Sequence, residues 1–186
     1  MILLDGPSGA GKSTSLSYLR ENCRELVRVG SKYSTRKPRF GDNDWEFLFV
    51  ESIPANLSQY AFQSVGHSYA VDIDAANQSL RDGKLYCVSC TDRRMIAKLK
   101  NDYGALVVYI ARPMSEEALE AILKARGVTK FDSDARRQEH RQAGADYISK
   151  LGLIDHVILN DRNREYLYDQ IDTIISLCPE LTSNIE

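Results

Sequence analysis

The sequence predicts an α/β fold in which helices cover both faces of a parallel β-sheet. Two observations support this prediction. Short apolar segments alternate with segments of helical periodicity along most of the chain, and a glycine-rich turn follows the first apolar segment almost at once. The 186 residues are 43% hydrophobic and 27% charged, which is enough apolar material for a core without disulfides. We therefore expect a single domain.

The first elements follow a strand–turn–helix pattern. "MILLD" (1–5) is a short apolar run typical of a buried strand. "KSTSLSYLREN" (12–22) has Leu16 and Leu19 at helical spacing, and "ELVRV" (25–29) predicts a second strand. These segments therefore predict a strand–helix–strand unit at the start of the sheet.

A change of character over residues of about 31–71 predicts a small strand-rich insertion. Glycine, proline and polar residues are frequent there, and no apolar helix period persists. "WEFLFV" alternates like an exposed-edge strand, and "QYAFQSV" is a second strand candidate.

The strand–helix alternation then resumes. "DIDAANQSLRDGK" predicts a helix that ends near Gly83, and strand "LYCVSC", helix "RRMIAKLKN" and strand "GALVVYIA" follow. Ser115 is the expected N-cap of the helix "SEEALEAILKAR". The buried stripe of this helix is expected to be Leu119, Ile122 and Leu123. After a charged stretch, strand "HVIL" and helix "REYLYDQIDTIISL" complete a core of about 1–30, 72–125 and 147–186.

Composition excludes several classes of protein. A net charge of −2 argues against a general binder of nucleic-acid polymers. Four unevenly spaced cysteines do not form a secreted disulfide framework, and the CxxC of Cys87 and Cys90 lies in a predicted buried strand, where a structural role is expected. No signal peptide or membrane span is apparent, so we expect a cytoplasmic protein with no membrane partner.

The segment "GPSGAGKS" (6–13) fits the P-loop pattern G-x-x-x-x-G-K-S and lies between a predicted strand and a helix start. Backbone N–H groups of such a loop turn inward around phosphate oxygens, and the helix N-terminus adds positive potential. The lysine reaches the transferred phosphoryl group, and the serine hydroxyl can ligate Mg²⁺. The predicted cofactors are therefore ATP and Mg²⁺, with Ser13 as the metal ligand. The predicted ATP contacts in the loop are Gly6, Ser8, Gly9, Ala10, Gly11, Lys12, Ser13 and Thr14.

Further motifs in the same order resemble the guanylate kinase family. "STRKPRFG" is similar to its T-R-x-P-R-x-G acceptor loop, "FLFV" to its Y-x-F-V, and "HSYAV" to its N-Y-Y-G segment. "ARG" (125–127) followed by Arg137 resembles the lid pattern, and "VILND" (157–161) resembles V-x-N-D. The resemblance spans residues 6–161 and implies one P-loop NTPase-type domain over 1–186, with an acceptor-binding insertion at about 31–71 and a helical lid at about 126–146.

The resemblance also implies roles for individual residues. Arg36 and Arg39 would hold the acceptor phosphate, and guanidinium groups match phosphate oxygens in a bidentate way. The alternative interpretation is that both arginines are solvated loop residues that bind no ligand. Tyr69 would add a hydroxyl to the same phosphate, or be a half-buried strand tyrosine.

On the donor side, the same resemblance implies that Arg126 and Arg137 neutralise charge on the transferring phosphoryl group and act with Lys12 in catalysis. Asn160 and Asp161 would line the donor nucleoside at a strand end; a plain Asn-Asp turn is the alternative.

The sequence departs from the family where guanine is read. Residues 52–115 contain no glutamate, and Tyr60 falls near the position where the family has one. Val71 replaces a serine, Ser89 replaces an aspartate, and Phe47 replaces a phosphate-binding tyrosine. Because lost hydrogen-bond partners weaken discrimination, guanine specificity is expected to be altered, with Ser89 as an acceptor contact.

Three functions are compatible with these patterns. The first is ATP-dependent phosphoryl transfer to a small phosphorylated acceptor, most simply a nucleoside monophosphate such as GMP. The second keeps the fold and changes the acceptor to ribose 1,5-bisphosphate or a modified nucleotide. The third is a non-catalytic, guanylate-kinase-like protein-binding module, but such modules usually have a degraded P-loop, whereas Lys12 and Ser13 are present here.

Overall fold

A five-stranded parallel sheet forms the centre of the fold in the computed structural model, which describes residues 1–178. In spatial order its strands are Val27–Val29 (β2), Leu85–Ser89 (β7), Ile2–Asp5 (β1), Leu106–Ala111 (β8) and His156–Leu159 (β9). All neighbouring strands run parallel. The predicted α/β class and its parallel sheet are thereby confirmed.

Six α-helices accompany the sheet within residues 1–178. They are Lys12–Asn22 (α1), Ile73–Arg81 (α2), Arg93–Tyr103 (α3), Glu116–Ala125 (α4), Lys130–Lys150 (α5) and Arg164–Ser176 (α6). Successive residues of β1 point to opposite faces: Leu3 packs in the core cluster that contains residues of α2 and α3, whereas Ile2 and Leu4 pack with residues of α1 and α6. Both faces of β1 are therefore buried, which explains its continuous apolar sequence.

The helix boundaries follow local chemistry. Ser115 accepts a hydrogen bond from the Ala118 amide at 3.2 Å and so caps α4, as predicted. Gly83 has a φ of +68° directly after α2, which explains why that helix ends there. In α4, Leu119 and Leu123 are buried, and Ile122 is half-buried.

The predicted insertion contains a second, four-stranded sheet. Its strands, in spatial order, are Phe47–Phe49 (β4), Lys32–Ser34 (β3), His67–Val71 (β6) and Ala61–Ser64 (β5), and a 3₁₀ helix spans Ala55–Tyr60. β4 is an edge strand, as its alternating sequence predicts, but it is shorter than "WEFLFV". This sheet faces the carboxyl ends of the central strands.

Helix α5 begins at Lys130, within the charged stretch at about 126–146, and continues about one turn past it to Lys150. Its sequence has no apolar stripe, so hydrophobic periodicity does not reveal its length. It is stabilised by a Thr129 N-cap and by ion pairs along the helix, such as Arg136–Glu139 at 2.8 Å. At its C-terminal end, Lys150 is 1% exposed and lies 3.2 Å from Asp5 at the end of β1.

Within residues 1–178, no helix combines the length and the apolar composition needed to span a bilayer.

Candidate active site

A cavity of about 410 Å³ lies at the carboxyl ends of the central strands. Its wall includes the P-loop after β1, Ser89 at the end of β7, Thr91 after β7, Arg112 after β8 and Asn160 after β9. The remaining wall comes from the insertion, from the α4–α5 region and from the start of α6. In parallel sheets ligands bind at this edge, so the cavity is the candidate active site.

The P-loop backbone needs glycine at defined positions. Gly6 has a φ of +134°, and a Cβ atom there would lie 2.4 Å from the Ile110 carbonyl oxygen. Gly11 has a φ of +114°, and its Cβ atom would lie 2.7 Å from Asn160 Nδ2. Both the conformation and the close approach exclude larger residues. Ser8 to Thr14 line the cavity, whereas Gly6 supports the loop from behind.

Lys12 lies against the loop at the start of α1. Its Nζ atom donates to the carbonyl oxygens of Gly6 at 2.5 Å and of Pro7 at 2.9 Å. Burial lowers the pKa of Lys12 to about 8, although the charge of Asp5 acts in the opposite direction. The ammonium group is therefore poised to gain a phosphate partner, which would favour its charged form.

Glu46 is a cavity residue that sequence reasoning missed. Ser13 Oγ donates to Glu46 Oε1 at 3.3 Å, and Glu46 is buried just before β4. The contact joins residues 33 positions apart, and no local motif distinguishes Glu46 from the nearby Asp42 and Asp44. These two oxygen-bearing side chains form a donor set suited to a hard cation such as Mg²⁺.

Arg36 is 5% exposed and is therefore not a solvated loop residue. Its Nη1 and Nη2 atoms donate to the two carboxylate oxygens of Asp42 at 2.6 and 2.7 Å. Its guanidinium carbon lies 4.4 Å from the Phe47 ring centroid and 5.1 Å from that of Phe49. Burial acts to raise the pKa of Asp42, but hydrogen bonds from Arg36 and from the Arg39 amide hold it below the ordinary value.

Arg39 connects the insertion to α5. Its Nη2 atom donates to Asp132 Oδ2 at 2.6 Å, and Asp132 is buried in the first turn of the helix. His67 lies on the other side of this carboxylate, with its Nε2 atom 3.8 Å from Asp132 Oδ1. Arg36 and Arg39 both line the cavity, so the structure brings the two predicted acceptor arginines together.

The other predicted acceptor contacts also line the cavity. Tyr69 is buried and stacks on Phe62 with 5.6 Å between ring centroids. Ser89, at the end of β7, accepts a hydrogen bond of 2.5 Å from Lys32 Nζ. In contrast, the Tyr60 hydroxyl donates to Asp102 at 3.1 Å and does not take part in the cavity wall.

The two predicted lid arginines have different surroundings. Arg126 lines the cavity at the end of α4. Arg137 does not line it, because its guanidinium group pairs with Asp134 at 2.6 Å and with Glu120 at 3.4 Å. The preceding residue, Arg136, faces the cavity instead. The role of Arg137 stays a prediction from the resemblance.

Asn160 and Asp161 also differ. Asn160 lines the cavity and its Nδ2 atom donates to the Ala10 carbonyl oxygen at 2.7 Å, so it ties β9 to the P-loop. Asp161 lies outside the cavity wall, 3.8 Å from Arg162.

Positive charge dominates the cavity wall, although the whole chain has a net charge of −2. The cationic side chains that line it are Lys12, Lys32, Arg36, Arg39, Arg112, Arg126, Arg136, Arg162 and Arg164. The carboxylates that line it are Asp42 and Glu46. A cavity of this composition is suited to ligands with several anionic oxygens.

Comparison with known proteins supports the predicted resemblance, although no family model matches the chain. Guanylate kinase from Schizosaccharomyces pombe is 29% identical over 181 residues, which cover 93% of this chain and 88% of the yeast protein. Guanylate kinase from Sus scrofa is 27% identical over 167 residues, 86% of this chain and 84% of the pig protein. Guanylate kinase 1 from Oryza sativa is 26% identical over 95% of this chain, which spans about half (47%) of the rice protein.

Solved structures support the fold. The crystal structure of guanylate kinase from Anaplasma phagocytophilum has a TM-score of 0.65 and 18% identity, covering 100% of this chain and 87% of that one. The SH3-kinase fragment of tight junction protein 3 has a TM-score of 0.52 and 12% identity, covering 95% of this chain and 56% of that one. The curated relatives support the predicted class of enzyme, a nucleoside monophosphate kinase-like phosphotransferase. By sequence and by fold, the chain is similar to the guanylate kinases.

Proposed function

We propose that this protein transfers the terminal phosphoryl group of ATP to a small phosphorylated acceptor, with a nucleoside monophosphate such as GMP as the first candidate. One observation carries the proposal: the P-loop with Lys12 and the buried arginine Arg36 line the same cavity. A donor phosphate site and an acceptor phosphate site in one cavity are what direct phosphoryl transfer requires.

On the donor side, the P-loop amides and Lys12 would hold the ATP phosphates. Ser13 and Glu46 fit a Mg²⁺ ion, because both supply oxygen ligands and magnesium binds through one or two such groups together with substrate phosphates. When bound, Mg²⁺ would neutralise charge on the phosphate oxygens. Asn160 and Arg112 both donate to P-loop carbonyl oxygens and keep the loop in position.

On the acceptor side, Asp42 orients Arg36 and leaves part of its hydrogen-bonding capacity available. Asp42 takes one N–H from each terminal nitrogen, and the Lys37 carbonyl oxygen takes a second from Nη1. A guanidinium group has five N–H donors, so the Nε–H and one Nη2–H remain beside these three bonds, and the Tyr69 hydroxyl also interacts with this side chain. The two remaining N–H groups form a fork of the geometry that binds phosphate in a bidentate way.

Arg39 would join the acceptor phosphate by exchanging its contact with Asp132 for a contact with the ligand. The two anions are chemically equivalent partners for a guanidinium group. Arg126 and Arg136, which line the cavity from the α4–α5 region, would neutralise charge that develops during transfer.

The test is ADP formation from ATP with a panel of nucleoside monophosphates and sugar phosphates, each compared with the Lys12→Ala variant. We expect acceptor-dependent turnover that the variant lacks. Absence of turnover with every acceptor would favour the non-catalytic module, a class to which the P-loop lysine and serine do not point.

A further inference from the structure

A buried lysine lies at the acceptor end of the cavity and has no role in the phosphate chemistry described above. Lys32 begins β3, lines the cavity and is 8% exposed. Its Nζ atom donates to Ser89 Oγ at 2.5 Å and lies 4.9 Å from the Phe47 ring centroid. Arg36 lies over the same ring, at 4.4 Å, so the lysine and the acceptor arginine are neighbours.

The surroundings of Lys32 leave its charge incompletely compensated. Its hydrogen bond goes to a neutral hydroxyl, and none of the ion pairs among the described side chains, those of residues 1–129 and 132–178, includes this lysine. Burial lowers its pKa; the charge of Glu46 opposes this effect, while Arg36 and Arg136 add to it. Burying a charge without a full set of partners is costly, so a ligand oxygen at this position would relieve that cost.

Lys32 and Ser89 present donors to the cavity. An ammonium group has three N–H donors and no acceptor. Because the Ser89 oxygen accepts from Lys32, the serine hydroxyl hydrogen is directed away from the lysine and can also be donated. Such a surface pairs with a keto oxygen or an anionic oxygen, whereas the hydrogens of an exocyclic amino group would face other hydrogens.

The two carboxylates that line the cavity both have contacts on its phosphate side. Asp42 holds Arg36 through both oxygens, and Glu46 contacts Ser13. These are the carboxylates that line the cavity in the described part of the chain. The 2-amino group of guanine is a hydrogen-bond donor, and a charged partner for it would have to be one of these two carboxylates, drawn away from Arg36 or Ser13.

We propose that Lys32 determines acceptor specificity by selecting an acceptor that presents an oxygen hydrogen-bond acceptor at the end remote from the reacting phosphate. That oxygen is either the keto oxygen of a base or an anionic oxygen of a second phosphate. The inference rests on the proposed function, since it concerns the acceptor of the same reaction. It implies that IMP, which differs from GMP by lacking the 2-amino group, is used about as well as GMP, and that AMP is used poorly.

The test measures kcat/KM for IMP, GMP, AMP and ribose 1,5-bisphosphate with the wild-type chain, Lys32→Met and Lys37→Met. Methionine keeps most of the side-chain volume without the charge. Lys37 is an exposed lysine in the loop that follows β3 and gives the matched control. We expect wild type to prefer IMP over AMP by roughly ten- to hundredfold, the contribution of a recognised polar group.

Lys32→Met should bring the IMP to AMP ratio to within about threefold while leaving the KM for ATP unchanged, and Lys37→Met should preserve the wild-type ratio. If ribose 1,5-bisphosphate is the best acceptor and loses most with Lys32→Met, the selected atom is an anionic oxygen. Equal use of IMP, AMP and ribose 1,5-bisphosphate by the wild-type chain, or unchanged preferences among them in a folded Lys32→Met variant, would overturn the inference.

A binding measurement separates this inference from the proposed function. Calorimetric affinities of IMP, AMP and ribose 1,5-bisphosphate for wild type and Lys32→Met do not depend on turnover. A preference for IMP that Lys32→Met removes supports the role of Lys32 even if no acceptor is phosphorylated. Equal affinities of the wild-type chain for IMP and AMP, together with an affinity for ribose 1,5-bisphosphate that Lys32→Met leaves unchanged, would refute that role even if phosphoryl transfer is observed. Should Lys32→Met fail to fold, Ser89→Ala, which removes the partner of the ammonium group, should reduce the same ratio by several-fold.

Discussion

Arg39 and Asp132 join the strand-rich insertion to the long helix α5 through a contact of 2.6 Å between Nη2 and Oδ2. Both side chains are largely buried, and they are 93 residues apart in the sequence. Because an acceptor phosphate and Asp132 would use the same guanidinium group, this ion pair is expected to oppose acceptor binding until the phosphate replaces the carboxylate.

Asp132→Asn tests that competition. The substitution keeps the shape of the side chain and removes its charge, and charge-assisted hydrogen bonds contribute about 1.5–3 kcal/mol. We therefore expect the acceptor KM to fall several-fold while the ATP KM stays close to wild type. Asp134→Asn is the matched control, because Asp134 lies on the same helix and pairs with Arg137, outside the cavity wall. An acceptor KM that rises would show that Asp132 positions Arg39 for binding instead.

Arg36→Ala and Arg39→Ala should each raise the acceptor KM strongly with little effect on the KM for ATP. A bidentate, charge-assisted contact in a partly closed site is worth about 2–4 kcal/mol when it is removed. Lysine should rescue poorly at either position, since a point charge cannot reproduce the fork. Steady-state kinetics with donor and acceptor varied separately give the answer. Equal loss toward both substrates would mean that the loop is structural.

Lys12 should impose a pH limit on ATP use. Burial lowers its pKa to about 8, so in the free protein the ammonium form predominates below that pH and is lost as the pH rises through it. We expect kcat/KM for ATP, which reports the free enzyme, to decline above about pH 8. kcat should decline less, because bound phosphate favours the charged form.

Two variants check this assignment to Lys12. Lys12→Ala should nearly abolish transfer while the thermal unfolding midpoint stays close to wild type. Lys12→Arg should be less active but should lose the decline near pH 8, since arginine stays protonated. A decline that persists in Lys12→Arg would have to be assigned to another group.

Arg136→Ala and Arg137→Ala form a matched pair of adjacent residues on one helix. The resemblance implies that Arg137 neutralises charge on the transferring phosphoryl group, whereas in the structure Arg136 is the residue that faces the cavity. We expect Arg136→Ala to lower kcat by roughly ten- to hundredfold with a small effect on the KM for ATP, and Arg137→Ala to have the smaller effect. The opposite order would mean that α5 turns when both substrates are bound.

Local features of the fold and the site could be predicted from the sequence. The P-loop could be recognised because a strand, a glycine-rich turn and a helix start are adjacent in the chain, and alternation of apolar and helical segments identified the sheet. Sequence reasoning could not predict the contacts of Lys32, Glu46 and Asp132. Each of these side chains contacts a residue that lies 33 to 93 positions away in the sequence. The full length of α5 was also hidden, since its charged sequence carries no apolar period.

Helix α5 is fastened at its two ends to different sheets, by Asp132 to the insertion and by Lys150 to Asp5 of the central sheet. A rigid helix rises about 1.5 Å per residue, so these two anchors are roughly 27 Å apart along its axis. Rotation of only about 10° around the buried Lys150 would then carry Asp132 through roughly 5 Å. The helix can thus act as a lever whose fulcrum lies beside the P-loop, so that a small adjustment where ATP binds becomes a large displacement where the acceptor binds.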